Sequence, residues 1–119
     1  MRAAILVMVG GAVGAATRWT VHELLPTESG RFPWGTFGIN VVGCLLIGIA
    51  ARRLPRDGDL WAGVVVGALG GLTTFSAFAV ETRLLIGDDR PLTALVYVAA
   101  TTVVGIAATE LARSGGVRT

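Results

Sequence analysis

Apolar residues in this chain neither alternate nor keep to one helical face. They run in four nearly unbroken blocks, residues 3–21, 35–51, 60–80 and 92–112. A helix crosses a bilayer with about 20 residues, and the second block, at 17 residues, is at the short end of what spans. The connections are short and polar. The first holds Pro26, Glu28, Arg31 and Pro33, the second reads RRLPRDGD, and the third holds Arg83, Gly87, Asp88, Asp89, Arg90 and Pro91. Lipid offers no partner to free backbone groups, so such blocks cross as helices. The pattern predicts an all-α membrane protein. It is a single transmembrane domain over residues 1–119, with four transmembrane helices and both termini on one side of the lipid bilayer. The tail SGGVRT is expected to be disordered.

The third block departs from a plain span. Its centre is Gly70-Gly71-Leu72-Thr73-Thr74-Phe75-Ser76, two glycines and three hydroxyls at the depth where a lipid-facing helix has least use for them. Gly is a poorer helix former than Ala by about 1 kcal/mol, and two β-branched threonines follow. The third helix is therefore expected to be broken near its centre; a straight helix packed closely at Gly70 and Gly71 is the alternative. Non-helical backbone at membrane depth persists only where protein buries it or a wet cavity lies beside it. The segment thus points to an ion site inside the membrane. A break also exposes carbonyl oxygens able to hold a cation such as Na⁺.

Composition agrees with a membrane chain. Hydrophobic residues make up 53% of the 119, and mean hydropathy is +0.70. The 17 glycines are spread through the apolar blocks, as in membrane helices. Net charge is +2 and dispersed along the chain, which argues against a nucleic-acid partner. Cys44, the single cysteine, reads as a small packing residue. Met1-Arg2, a short apolar run and Gly14-Ala15-Ala16 also resemble a secretory signal peptide. Its cleavage would leave three spans with nothing soluble to export, so the first block is expected to stay as a span.

Arginine positions give the orientation. Arg2, Arg52, Arg53, Arg56, Arg113 and Arg118 fall on one side. Arg31, Arg83 and Arg90 fall on the other, with Arg18 if it reaches the interface. The bias mildly favours termini inside and also fits a chain that inserts both ways. Trp19, Trp34 and Trp61 lie near predicted span ends, where indoles anchor at the headgroups, and His22 is expected to be interfacial too. Gly10 with Gly14, and Gly63 with Gly67 and Gly71, have the four-residue spacing that lets helix backbones approach closely.

Depth along the spans gathers candidate groups. Counted from the side of the first and third connections, Asn40, Phe75 and Tyr97 each lie five residues inside a predicted span, roughly 7–8 Å deep. Phe78 and Arg18 lie higher. No Asp, Glu, Lys or His is central in a span, since Glu81 and Glu110 fall at predicted ends. A cation or proton carrier would normally place a carboxylate in the membrane. The chain offers donors instead: the Asn40 amide, the hydroxyls of Thr74 and Ser76, and the Tyr97 phenol. Phenyl edges are electropositive, and Phe75 and Phe78, three apart, project to one side of a helix. Together they suit a small, hard anion, although both rings could also be ordinary packing. Tyr97 and Thr101 share a helix face, a polar stripe unless the threonine bonds back to its own helix. Arg18 can snorkel or add positive potential at an anion entrance, with Glu81 as a possible partner.

These residues resemble the CrcB/Fluc family of small fluoride channels over nearly the whole chain. Gly10-Gly11-Ala12-Val13-Gly14-Ala15-Ala16-Thr17-Arg18-Trp19 is similar to the family's GGxxGAxxRY, with Trp in the usual Tyr place. Residues 35–43, GTFGINVVG, match GTxxxNxxG. Residues 70–78 with Glu81 match GGxTTFSxFxxE, the most specific of the three. The resemblance implies an antiparallel, dual-topology homodimer with two parallel fluoride paths and a structural Na⁺ at the dimer centre, held by the backbone carbonyls of Gly70 and Thr73. It implies Phe75 and Phe78 as the pore-lining rings and Asn40 as the polar pore residue. Tyr97 and Thr101 would begin a polar track that Gly105 interrupts, where the family often has a hydroxyl. The expected activity is passive, electrodiffusive fluoride export across the cytoplasmic membrane, relieving toxicity. No enzyme motif appears. The alternatives are a proton-coupled small multidrug exporter, for which the first span lacks a carboxylate, and a structural subunit of a larger membrane complex, which leaves TTFSxF without a task.

Overall fold

The computed structural model describes residues 1–115. Its elements are α1 (Arg2–Leu24), α2 (Trp34–Arg53), α3 (Asp59–Trp61), a π-helical segment (Ala62–Leu69), α4 (Gly70–Leu72), α5 (Phe75–Gly87) and α6 (Pro91–Ser114). No strand occurs among the described residues. Four helical stretches are long and apolar enough to cross a membrane, the third being the composite Asp59–Gly87. The chain is a multi-pass membrane protein. Of the expected tail, Ser114 ends α6 and Gly115 caps it; the remainder, with Arg118, lies outside the described residues.

Each crossing outruns its apolar block, because helix ends continue into the headgroup zone where polar residues are welcome. The third differs most. Sequence hydropathy ends it at Val80, yet α5 runs on to Gly87 and Leu85 is buried. The polar run Glu81-Thr82-Arg83 interrupts hydropathy but not the helix, so Glu81 sits inside the crossing rather than at its end.

Glycine decides how the first and third crossings meet. A Cβ on Gly10 would overlap the Gly63 carbonyl oxygen, and one on Gly14 that of Ala68. On Gly67 it would come 2.8 Å from the Val7 carbonyl oxygen. The four-residue glycine spacing is thus the seam between α1 and the π-helical segment with α4, where backbone packs directly on backbone. α2 packs along α6, and α5 against α6. Two apolar clusters result. One holds Ala50, Val65 and Leu69; the other holds Leu85, Ala94 and Tyr97, flanked by Phe32, Phe37 and Phe78.

The assembly measures 46 × 36 × 20 Å. Its thin dimension is about two helix diameters, so most apolar side chains point outward. Trp19 and Trp34 are exposed, as interfacial anchors should be, and the Arg56 guanidinium lies 5.9 Å from the Trp61 ring centroid.

Candidate functional site

Within the third crossing two residues are extended, Thr73 (φ −77°, ψ 153°) and Thr74 (φ −149°, ψ 118°). Asn40, from the middle of α2, holds them. Its Oδ1 accepts from the Thr74 N–H at 3.0 Å, and its Nδ2 donates to the Thr74 carbonyl at 3.2 Å. One amide side chain thereby satisfies the Thr74 N–H and adds a second donor to its carbonyl, which as the N-cap carbonyl accepts the first bond of α5. Thr74 then caps α5: its Oγ1 accepts from the Ala77 N–H at 3.1 Å, an N-cap contribution of about 1 kcal/mol. Gly43, one turn after Asn40's face on α2, leaves the room that the Thr73 methyl fills.

The end of the helical run at Leu72 frees several carbonyls, Gly70 O and Thr73 O among them. In a continuous α-helix the Thr74 N–H would bond the Gly70 carbonyl, and the Ala77 N–H the Thr73 carbonyl. Both donors go elsewhere, to Asn40 and to the Thr74 hydroxyl. Gly70 O and Thr73 O therefore lose their helical partners at the same point. The Thr73 hydroxyl is not a free donor, for it bonds back to Leu69 O at 2.9 Å.

Beside this segment lies a cavity of about 490 Å³ whose lining includes Asn40, Gly70, Thr73, Thr74, Phe75, Phe78 and Thr101. Thr101 Oγ1 is buried and has no hydrogen-bond partner. The back-bonding alternative is realised by its neighbour instead, since Thr102 donates to Val98 O at 2.8 Å. The Phe75 and Phe78 rings are 5.8 Å apart and tilted by 44°. Phe78 is partly buried, whereas Phe75 is 79% exposed on the single chain. Gly105 is buried, and a Cβ there would stand 3.3 Å from Cys44 Sγ, so the expected gap in the polar stripe is occupied by the thiol.

Tyr97 and Ser76 do not line that cavity. Ser76 is exposed, its hydroxyl 3.1 Å from Thr74 Oγ1. Tyr97 is fully buried, with its ring 5.1 Å from Phe78 and 5.3 Å from Phe32. Its hydroxyl donates to Glu81 Oε2 at 2.7 Å. The expected single layer therefore divides into two tiers. Phe75 stands twelve residues before the end of α5, about 18 Å along the helix, because the crossing is longer than its apolar block. The lower tier is Asn40, Thr74 and Phe75. The upper is Thr36, Glu81 and Tyr97, and Phe78 touches both.

Sequence reading missed Thr36. It is fully buried and donates to Glu81 Oε1 at 2.7 Å, while His22 Nε2 lies 3.2 Å from its oxygen. Its signal was present in its position four residues before Asn40, on the same face of α2. His22 is thus part of a side-chain chain reaching inward rather than only an interfacial group. Arg18 is half-buried on α1, and no ion pair joins it to Glu81, whose two oxygens are taken by Thr36 and Tyr97. Among the described residues no group of three or more His, Cys, Asp or Glu could hold a metal.

Residues 5–113 match the family model described as CrcB-like protein, Camphor Resistance (CrcB). The chain belongs to the CrcB family. Among its CrcB relatives, the Fluoride-specific ion channel FluC 1 of Streptomyces coelicolor is 43% identical over 116 residues, covering 90% of this chain and 72% of that protein. The Fluoride-specific ion channel FluC of Novosphingobium aromaticivorans is 44% identical over 112 residues, 89% of each chain. That of Oceanobacillus iheyensis is 40% identical over 112 residues, covering 89% of this chain and 84% of its own.

Proposed function

We propose that this CrcB-family chain is a fluoride-selective channel that lets fluoride leave the cell by passive electrodiffusion across the cytoplasmic membrane. The observation that carries the reading is the mid-membrane cavity, in which the unpartnered Thr101 hydroxyl, the Asn40 amide and the Phe75–Phe78 pair converge. Fluoride is small and strongly hydrated, so a path must replace its water with fixed donors yet release it. A hydroxyl hydrogen with no acceptor and electropositive ring edges supply that replacement. The names of the relatives support the same ion.

The slab is too thin to enclose a pore alone. An antiparallel homodimer fits three features: the interruption at Thr73–Thr74, the exposed Phe75 and Gly70, and the weak arginine asymmetry. In that dimer a second copy covers Phe75 and completes each pathway. A structural Na⁺ suits the freed carbonyls of Gly70 and Thr73, whose helical donors are diverted; two copies would offer four hard oxygens of the kind that hold Na⁺ at unwound transporter helices. When bound, that ion supplies positive charge at the centre of the assembly, while the protein's own donors handle the anion. Tyr97 and Ser76 act from the edge of the pathway, and Arg18 raises the positive potential at its mouth.

Fluoride efflux from liposomes containing only this protein tests the reading. Rapid, fluoride-selective release is expected, reduced at least about tenfold by Phe75→Ile or Phe78→Ile, which costs the pathway about 1.4 kcal/mol or more. No release from vesicles that retain folded protein would end it, and unchanged release in both variants would remove the ring-edge role.

A further inference from the structure

The cavity beside the third crossing holds a group that the pathway above leaves without a task. Cys44 is on its wall with Asn40 and Thr101, partly exposed and in no disulfide. It follows Asn40 by four residues on α2, so the two side chains share a helix face. Gly105, four residues after Thr101 on α6, shows where the sulfur lies. A Cβ on Gly105 would stand 3.3 Å from Cys44 Sγ, closer than ordinary contact, so the missing side chain makes room for the thiol. One turn later Gly48 of α2 meets Thr109 of α6. The same register sets Asn40 level with Thr101, and the sulfur lies about 6 Å beyond both along the helices.

Most hydroxyls around this cavity are engaged. Thr73 donates to Leu69 O at 2.9 Å, and Thr102 to Val98 O at 2.8 Å. Thr74 Oγ1 shares a hydrogen bond with Ser76. Thr109, the next hydroxyl along α6, reaches the carbonyls of Gly105 at 3.0 Å and Cys44 at 3.2 Å, so it ties α2 to α6. What remains is the buried Thr101 hydroxyl, which has no partner, the second Asn40 amide hydrogen, and the Cys44 thiol. The first two draw an anion, and the third stands one turn away on the same wall. S–H is a weak donor, so the thiol matters by its position and by its reactivity rather than by holding the ion.

We propose that Cys44 flanks the ion path and is a modification site, at which a small anionic electrophile bonded to the sulfur stops the flux. An alkyl thiosulfonate, sulfonatoethyl methanethiosulfonate, supplies the chemistry. The thiol gives its proton to solvent, and the thiolate is the nucleophile. It attacks the sulfur that carries the sulfonatoethyl group. An S–S bond forms, the S–SO₂ bond breaks, and methanesulfinate leaves with the electron pair. Cys44 ends as a mixed disulfide whose two-carbon stem carries a sulfonate. That tethered anion takes up the Thr101 and Asn40 donors and repels a second anion. Thiol–disulfide exchange with dithiothreitol removes it.

The flux readout rests on the fluoride reading, so labelling is measured apart from it. Folded protein in detergent is treated with the reagent, and the mass of the intact chain counts the adducts before reconstitution. One adduct per chain is expected, and none on Cys44→Ala. Vesicles with labelled protein should release fluoride at least about tenfold more slowly than untreated ones, and dithiothreitol should restore the rate. A neutral propylthio adduct of similar length should slow release less, because it adds bulk without charge. Treated Cys44→Ala should match its own untreated rate. Four results overturn the proposal: no adduct on folded protein when denatured protein labels, full labelling without loss of flux, equal slowing by the two adducts, or slowing that reduction does not reverse. Untreated vesicles that release no fluoride would instead remove the fluoride reading, and the ion path at Cys44 with it.

Discussion

Asn40 and Thr74 form the smallest unit on which the site depends. Replacing Asn40 with Leu strips the Thr74 N–H of its partner and its carbonyl of a second donor, and an unsatisfied buried group costs about 1–3 kcal/mol. Asn40→Leu should lower thermal stability in detergent as well as abolish ion flux; retained stability would mean that water or backbone takes over these bonds. Thr101 predicts the opposite pattern. Its hydroxyl has no partner, so Thr101→Val should leave stability unchanged or slightly raised, while slowing fluoride efflux by about tenfold, or 1.4 kcal/mol of barrier. A Thr101→Val protein that melts earlier would show that the hydroxyl is structural. The sequence announced Asn40, Thr73 and Phe75 through their residue types and depth. It did not announce Glu81's place, because a charged residue after an apolar block looks like a span end until its partners on α2 and α6 are seen.

Helices were legible wherever hydropathy alone sets them. The four crossings appear in order, and the seam of α1 follows from glycine spacing, since backbone approach needs small residues and little else. Gly14→Leu should therefore prevent α1 from seating on the third crossing, where even a Cβ overlaps the Ala68 carbonyl oxygen. The expected outcome is loss of monodisperse protein on size-exclusion chromatography, whereas Gly38→Ala, at a glycine whose Cβ would meet nothing within 4 Å, should elute as wild type. Less legible was the composite nature of the third crossing. The π-helical segment Ala62–Leu69 has no signature in an all-apolar run, because its widened turns answer the backbone of α1 rather than local propensity. The same holds for the end of α5, fixed by Leu85 packing against Ala94 and Tyr97.

Taken whole, the molecule is a slab that leaves Phe75 and Gly70 exposed beside its cavity, which is why one chain reads as half of a working unit. If two copies insert in opposite senses, a cysteine introduced into the connection at Ser29, in a Cys44→Ala background, should react with a membrane-impermeant thiol reagent from both sides of oriented vesicles in comparable amounts. Labelling from one side alone would exclude dual topology. In the proposed channel, fixed hydroxyl, amide and ring-edge groups stand in for the water around fluoride and let it move down its own gradient. Current reversal in a planar bilayer under opposed fluoride and chloride gradients tests this most directly. The reversal potential should follow the fluoride gradient and ignore chloride and any proton gradient; a reversal that tracks chloride, sodium or protons, or the absence of current from folded protein, would contradict it.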